Sequence, residues 1–136
     1  MGHIEEIRTA KGAPVGGPYS QGVKVGNMVF TASVGPVDPA TGKPVEKDIS
    51  VQAKRVIENV KAVIEEAGGT LSNVVKVTFF LYVGDDPEVQ AAHFAAFNKV
   101  YETYFTGVRP ARAFVPVYNP KNVPGCSMDA VAVLPE

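Results

Sequence analysis

Cysteine is almost missing from this sequence. Cys126 is the one thiol in 136 residues, so no internal disulfide can staple the fold. With no second cysteine and no histidine pair at ligand spacing, no zinc motif can be assembled either, and no metal is expected. A lone thiol fits a reducing, cytoplasmic setting. Long apolar runs are missing too. Nothing approaches the ~20 residues that span a bilayer, and the opening MGHIEEIRTAKG has no apolar signal-peptide core. No membrane association is therefore expected. Neither sign of charge is in excess: 13 Lys and Arg against 14 Asp and Glu give a formal net charge of −1. That removes the general pull toward nucleic acid or anionic lipid, although a local basic patch remains allowed. There is no GxGxxG, P-loop, GxSxG or HExxH, so the common signatures of dinucleotide, nucleoside-triphosphate, serine-hydrolase and zinc-protease chemistry are absent.

What is present is an ordinary globular composition, 46% hydrophobic and 20% charged. A chain of this size forms one domain, spanning 1–136, and buries about two-thirds of its unfolded surface. Residues 4–9 read as a short first strand and 11–18 (KGAPVGGP) as a Gly/Pro-rich loop. Residues 21–25 and 28–34 read as two strands joined at Gly26-Asn27, a hairpin signal. Residues 38–47 (DPATGKPVEK) form a turn-rich connection. A helix follows, capped by Asp48 or Ser50, with Ala53, Val56, Ile57, Val60, Val63, Ile64 and Ala67 at helical spacing, and Gly68-Gly69 ends it. VVKVTFFLYV, residues 74–83, reads as a strand apolar on both faces, with Val75, Val77, Phe79 and Leu81 on one of them. Asp86-Pro87-Glu88 opens a second helix whose aromatic stripe is Phe94, Phe97, Tyr101 and Tyr104; such a stripe is core. Residues 111–118 and 127–134 are the last two strands, with a loop over 119–125. The order β-β-β-α-β-α-β-β indicates an α+β fold with two helices on one face of a single sheet. The other face needs cover that so short a chain cannot supply, so self-association through the sheet is expected.

Arg112 interrupts the apolar strand ARAFVPVY. Alternation puts Arg112, Phe114, Pro116 and Tyr118 on one face, and Pro116 argues for an edge strand. A buried guanidinium needs a carboxylate, from the protein or from a ligand. Asp129, in SMDAVAV, raises the matching question: it is either the internal partner of Arg112 or a desolvated general base. Tyr19, in GGPYSQG, is a candidate pocket wall and hydrogen-bond donor, or simply a packing aromatic. Asn98 stands next to Phe97 on the second helix and could face solvent. Cys126 has no neighbour in sequence that would depress its pKa, so a buried inert thiol is the expectation. His93 has no second histidine at metal spacing.

Five stretches in order resemble the Rid family (RidA/YjgF, the reactive intermediate deaminases, also called endoribonuclease L-PSP-like). They are GGPYSQGVKVGNMVF, DPATGK, NVKAVIEEAGG, NVVKVTFFL and RPAR followed by a strand. The resemblance runs over residues 13–133. It implies a chorismate mutase-like fold, a homotrimer, and ligand clefts at the subunit interfaces. It implies that Arg112 binds the carboxylate of a 2-imino acid or its enamine tautomer, which water converts to a 2-oxo acid and ammonia without a metal or cofactor. It implies further that Tyr19 walls the pocket, that Asn98 lies near the cleft, and that Asp129 stands where active members carry a glutamate that positions water. The chain departs from the pattern at Ala32, where active members have serine (Ser33 is adjacent), and at Phe114, where they often have cysteine. The segment 83–92 is also longer than the common form. The expectation is a divergent member acting on small carboxylates. The alternatives are a non-catalytic carboxylate-binding or regulatory trimer and, against the near-neutral charge, a ribonuclease or translation inhibitor.

Overall fold

The computed structural model describes residues 3–119 and 125–135. Among them eight strands and two α-helices form in the order β1 (Ile4–Ile7), β2 (Gly22–Val25), β3 (Met28–Thr31), β4 (Val37–Asp38), β5 (Lys43–Pro44), α1 (Ile49–Glu66), β6 (Val74–Val83), α2 (Pro87–Tyr104), β7 (Ala111–Tyr118) and β8 (Cys126–Val133). Six strands make one sheet in the order β1-β2-β3-β8-β6-β7. The hairpin β2-β3 turns at Gly26, whose φ of 59° lies in the left-handed region open to glycine. β6 and β7 are parallel, as a strand pair joined by a crossover helix must be, and the remaining pairs are antiparallel.

The α+β reading holds, with one addition and one shortening. The connection over 38–47 is not all turn: β4 and β5 pair there as a separate two-stranded ribbon. The strand expected over 28–34 ends at Thr31, and only Val34 rejoins the sheet, through a bridge to Met128. Part of the loop expected over 119–125 lies outside the described residues.

Asp48 is the cap of α1. Its carboxylate accepts from Ser50 N at 2.9 Å and Val51 N at 3.2 Å. Asp48→Ala is expected to cost about 1 kcal/mol, read as a lowered thermal midpoint with unchanged secondary structure. At the other end Gly69 N donates to Ile64 O at 3.0 Å and Gly68 N to Glu65 O at 3.0 Å, with Gly68 at φ 97°. This is the Schellman closure that a glycine allows at little cost. Ala53, Val56, Ile57, Val60 and Ile64 are then fully buried on the sheet.

α2 starts as its sequence demands, with Asp86 accepting from Glu88 N and Val89 N and proline at the first turn. Its aromatic stripe is core, as expected. Phe97 is fully buried and stacks on Phe79 at 4.2 Å, while Tyr101 stacks on Phe105 at 4.4 Å. Together α1 and α2 cover one face of the sheet, where Val77, Phe79 and Leu81 of β6 lie at zero exposure. Val75 is a correction. A register irregularity between Val74 and Lys76 turns Val74 inward and leaves Val75 47% exposed, so Val75 does not share the face of Val77.

The second face of the sheet has no cover within the described residues. Strand register places Ile4, Val25, Met28, Phe30, Val131, Val133, Phe80, Tyr82, Val115 and Val117 there together. Phe30 is 39%, Val115 39% and Tyr82 40% exposed, more apolar surface in one place than a solitary soluble chain leaves wet.

Candidate functional site

β7 is an edge strand, as Pro116 implied, and its register with β6 decides where Arg112 goes. Arg112 pairs with Val77 and Phe114 with Phe79, so both stand on the helix-covered face. There Arg112 meets α2. Its Nη1 donates to Asn98 Oδ1 at 2.7 Å, and its guanidinium carbon lies 4.7 Å from the Phe79 ring centre and 4.8 Å from that of Tyr101. Stacking on π faces and a single neutral acceptor orient the guanidinium without neutralising it. Among the described residues no carboxylate lies within ion-pairing distance of it. Asn98 is thus half-buried and engaged rather than turned to solvent.

Asp129 is not the partner of Arg112. It pairs with Thr78, the residue after Val77, so it projects from the open face while Arg112 projects from the other. Asp129 is half-buried, and that burial raises its pKa above the ordinary carboxyl value.

Two depressions flank the Arg112 edge. One, of about 250 Å³, is lined by Asn98, Tyr101, Glu102, Arg109, Pro110 and Arg112. The other, of about 260 Å³, is apolar and lined by Val83, Pro87, Gln90, Ala91, Phe94 and Phe114. Phe114 is 39% exposed, stacks on Phe79 and meets Phe94 at a tilt, each at 4.8 Å, so its ring walls the apolar depression. A third, larger depression of about 550 Å³ opens elsewhere, with Ser33, Gln52, Tyr82, Cys126 and Ser127 among its lining. Ala32 and Ser33 lie past the end of β3, so strict alternation of faces does not apply to them. Ala32 N donates to Gln21 O at 2.8 Å, and the exposed Ser33 reaches that depression.

Tyr19 is 51% exposed, and its hydroxyl accepts from Gly16 N at 3.2 Å. The loop that carries it is anchored by the buried Gln21, which accepts from Thr9 N at 2.7 Å and donates to Ala13 O at 2.8 Å. One chain therefore brings Arg112, Asn98 and Phe114 together. It leaves Asp129 on the opposite face, Ser33 at a separate depression and Tyr19 in the N-terminal loop. Sequence reading did not place Tyr101 and Arg109 in the lining of the depression beside Arg112. The spacing that marked Tyr101 as core was right, but only the β7 register shows that its ring also carries Arg112.

Cys126 is 2% exposed, and burial pushes its thiol up to about 12. It is expected to resist thiol reagents at pH 8 in the folded protein and to react fully once unfolded, a difference that a colorimetric thiol titration reads directly. Among the described residues no group of His, Cys, Asp and Glu could hold a metal ion, and no helix is long and apolar enough to cross a membrane.

The site is thus an arginine oriented by Asn98 and two aromatic rings at the edge of an α+β sheet, whose second face is apolar and uncovered among the described residues. Residues 10–133 match the family model described as Endoribonuclease L-PSP. The chain is 48% identical over 129 residues to a RutC family protein of Pyrococcus abyssi, covering 94% of this chain and 95% of that one. It is 43% identical over 121 residues to the 2-iminobutanoate/2-iminopropanoate deaminase of Salmonella typhimurium, covering 86% and 88%. The crystal structure of E. coli TdcF with bound serine superposes with a TM-score of 0.83 at 35% identity, covering 96% and 99%. The chain belongs to the endoribonuclease L-PSP (Rid/YjgF) family, a family that includes imine deaminases.

Proposed function

We propose that this protein hydrolyses reactive 2-imino acids and their enamine tautomers to 2-oxo acids and ammonia, in clefts completed between the subunits of a cytoplasmic homotrimer. The whole chain acts as one Rid-type domain. The observation that carries this reading is Arg112: an oriented guanidinium with no carboxylate within ion-pairing distance among the described residues, at an edge where a ligand can reach it.

The chemistry asks little of the protein beyond placement. The imine carbon is already electrophilic. Arg112 holds the substrate carboxylate in a fork while Asn98 keeps the guanidinium in plane. Water adds to the C=N carbon, the nitrogen takes up protons, the C–N bond breaks and ammonia leaves, so neither metal nor redox cofactor is required. Asp129 is the general base in this reading, its raised pKa making it a better proton acceptor than an ordinary carboxylate. Because one chain holds Arg112 and Asp129 on opposite faces, the Asp129 of each cleft comes from a neighbouring copy whose open face meets the β7 edge, and Tyr19 and Ser33 of that copy close the cleft from its side. Phe114 takes the room a smaller residue would leave, and Ala32 contributes no hydroxyl.

The test is a coupled assay in which a serine or threonine dehydratase releases the imine and 2-oxo acid formation is followed. Faster release with this protein, lost in Arg112→Ala, supports the deaminase. Saturable binding of a 2-oxo acid with no acceleration of release would replace it with a non-catalytic carboxylate binder.

A further inference from the structure

We propose that the depression beside Arg112 takes a second anionic group through Arg109, so that this protein prefers 2-imino dicarboxylates. The proposal rests on the reading of Arg112 as a carboxylate grip and adds a substrate class to it.

Arg109 and Arg112 line the same depression of about 250 Å³. Arg109 Nε donates to Phe105 O at 3.0 Å, a contact that fixes the stem and uses neither terminal nitrogen of the fork. Pro110 lies between the two arginines and restricts the backbone that spaces them. Among the described residues neither guanidinium has a carboxylate within ion-pairing distance. Two uncompensated cations in one hollow repel each other, and an anion placed between them relieves that repulsion.

Tyr101 is an independent sign of the same deficit. It is 5% exposed and its hydroxyl has no hydrogen-bond partner among the described residues, although both arginines and the ring itself line the hollow. The Arg112 guanidinium carbon lies 4.8 Å from the Tyr101 ring centre and Arg109 lines the same hollow, so both cations oppose the rise in the phenol's pKa that burial causes. A buried donor without an acceptor, beside two unpaired cations, marks a place short of negative charge. Glu102 sits on the same rim and opposes an incoming anion, so its neutralisation should tighten binding.

The apolar depression behind Phe114 is the competing destination for a substrate side chain. A bulky apolar 2-imino acid would use it and would leave Arg109 idle. A dicarboxylate uses both arginines: Arg112 for the carboxylate next to the imine carbon and Arg109 for the distal one. The bonds made and broken are those of the hydrolysis above, so no further reactant is needed.

The experiment is titration calorimetry of the intact protein with two unreactive 2-oxo acids, 2-oxobutanoate and 2-oxoglutarate, beside Arg109→Ala, Arg109→Lys and Glu102→Gln. Wild type is expected to bind 2-oxoglutarate about tenfold tighter. Arg109→Ala should erase that preference and leave 2-oxobutanoate unchanged, Arg109→Lys should restore part of it, and Glu102→Gln should strengthen it. Arg109 is exposed, so these variants should fold. Equal affinities in wild type, a preference that survives Arg109→Ala, or tighter binding of a bulky apolar 2-oxo acid with no effect of Arg109 would each overturn the proposal. Turnover separates the two readings. If neither a neutral nor a dicarboxylic imine is hydrolysed, deaminase activity falls, and the binding ratio still decides the role of Arg109.

Discussion

Arg112→Ala is expected to lower kcat/KM for 2-imino acid hydrolysis by roughly a thousandfold, because it removes the charge-assisted fork and the orientation of the imine together. Arg112→Lys keeps the charge but has neither the planar fork nor the same stacking surface for Phe79 and Tyr101, and should recover only a minor part. The side chain is exposed and makes no ion pair with another described residue, so stability should barely change, and a thermal scan checks that. The opposite faces of Arg112 and Asp129 make a sharper version possible. Arg112→Ala and Asp129→Asn should each be inactive alone. Unfolded together and refolded as mixed trimers, they should regain about a quarter of wild-type activity, since a cleft that draws one residue from each of two chains is intact when both donors are wild type at that position. Mixed trimers that remain inactive would show that the two residues do not share a cleft, and Asp129 would lose its role as base.

Phe30→Asp should take the assembly apart. Phe30 stands on the open face of β3, paired with Val131 of β8 and 39% exposed in the single chain, so the isolated fold loses little when it is replaced. In an assembly that covers this face, the substitution buries an unpaired carboxylate in apolar surroundings, a cost of several kcal/mol per interface. Sedimentation should show the monomer at concentrations where the wild type is expected to be trimeric, with helix content kept and imine hydrolysis lost in parallel. Phe30→Leu, which keeps the apolar contact, should remain assembled and active. A Phe30→Asp variant that sediments like the wild type would remove this face from the interface.

Much of the fold was legible because local chemistry and tertiary packing agree. The Asp48 and Asp86 caps, the Gly68-Gly69 stop, the Gly26 turn and the aromatic stripe of α2 all act within a few residues of themselves, and each appears as its residue types require. Val75 and Val34 show where this reasoning stops. A period of two places Val75 inward, yet one irregularity beside Lys76 reverses it, and no residue type announces that shift. Val34 belongs to the sheet through a single bridge to Met128, on a strand that forms only near the end of the chain.

The candidate site divides along the same line. Arg112, Asp129, Asn98 and Tyr19 stand out from sequence because charge and hydrogen-bonding groups interrupt apolar runs, and that contrast is local. Whether Arg112 and Asp129 meet is not local. It depends on the parallel register of β7 on β6 and the antiparallel register of β8 on the other edge of β6, which assign Val77 to one partner and Thr78 to the other. One residue of register exchanges the two faces of a strand, so only the assembled sheet could separate a guanidinium held by Asn98 and two aromatic rings from a carboxyl set in an open apolar face. Residue order alone points to an α+β fold, to a sheet face that its own chain is too short to cover, and to an arginine on an edge strand whose carboxylate, internal or external, it leaves open. Which face each group serves, and that Arg109 joins Arg112 beside the buried Tyr101 hydroxyl, emerges only from the packed chain, because strand registers and helix docking are set by contacts between segments far apart in sequence.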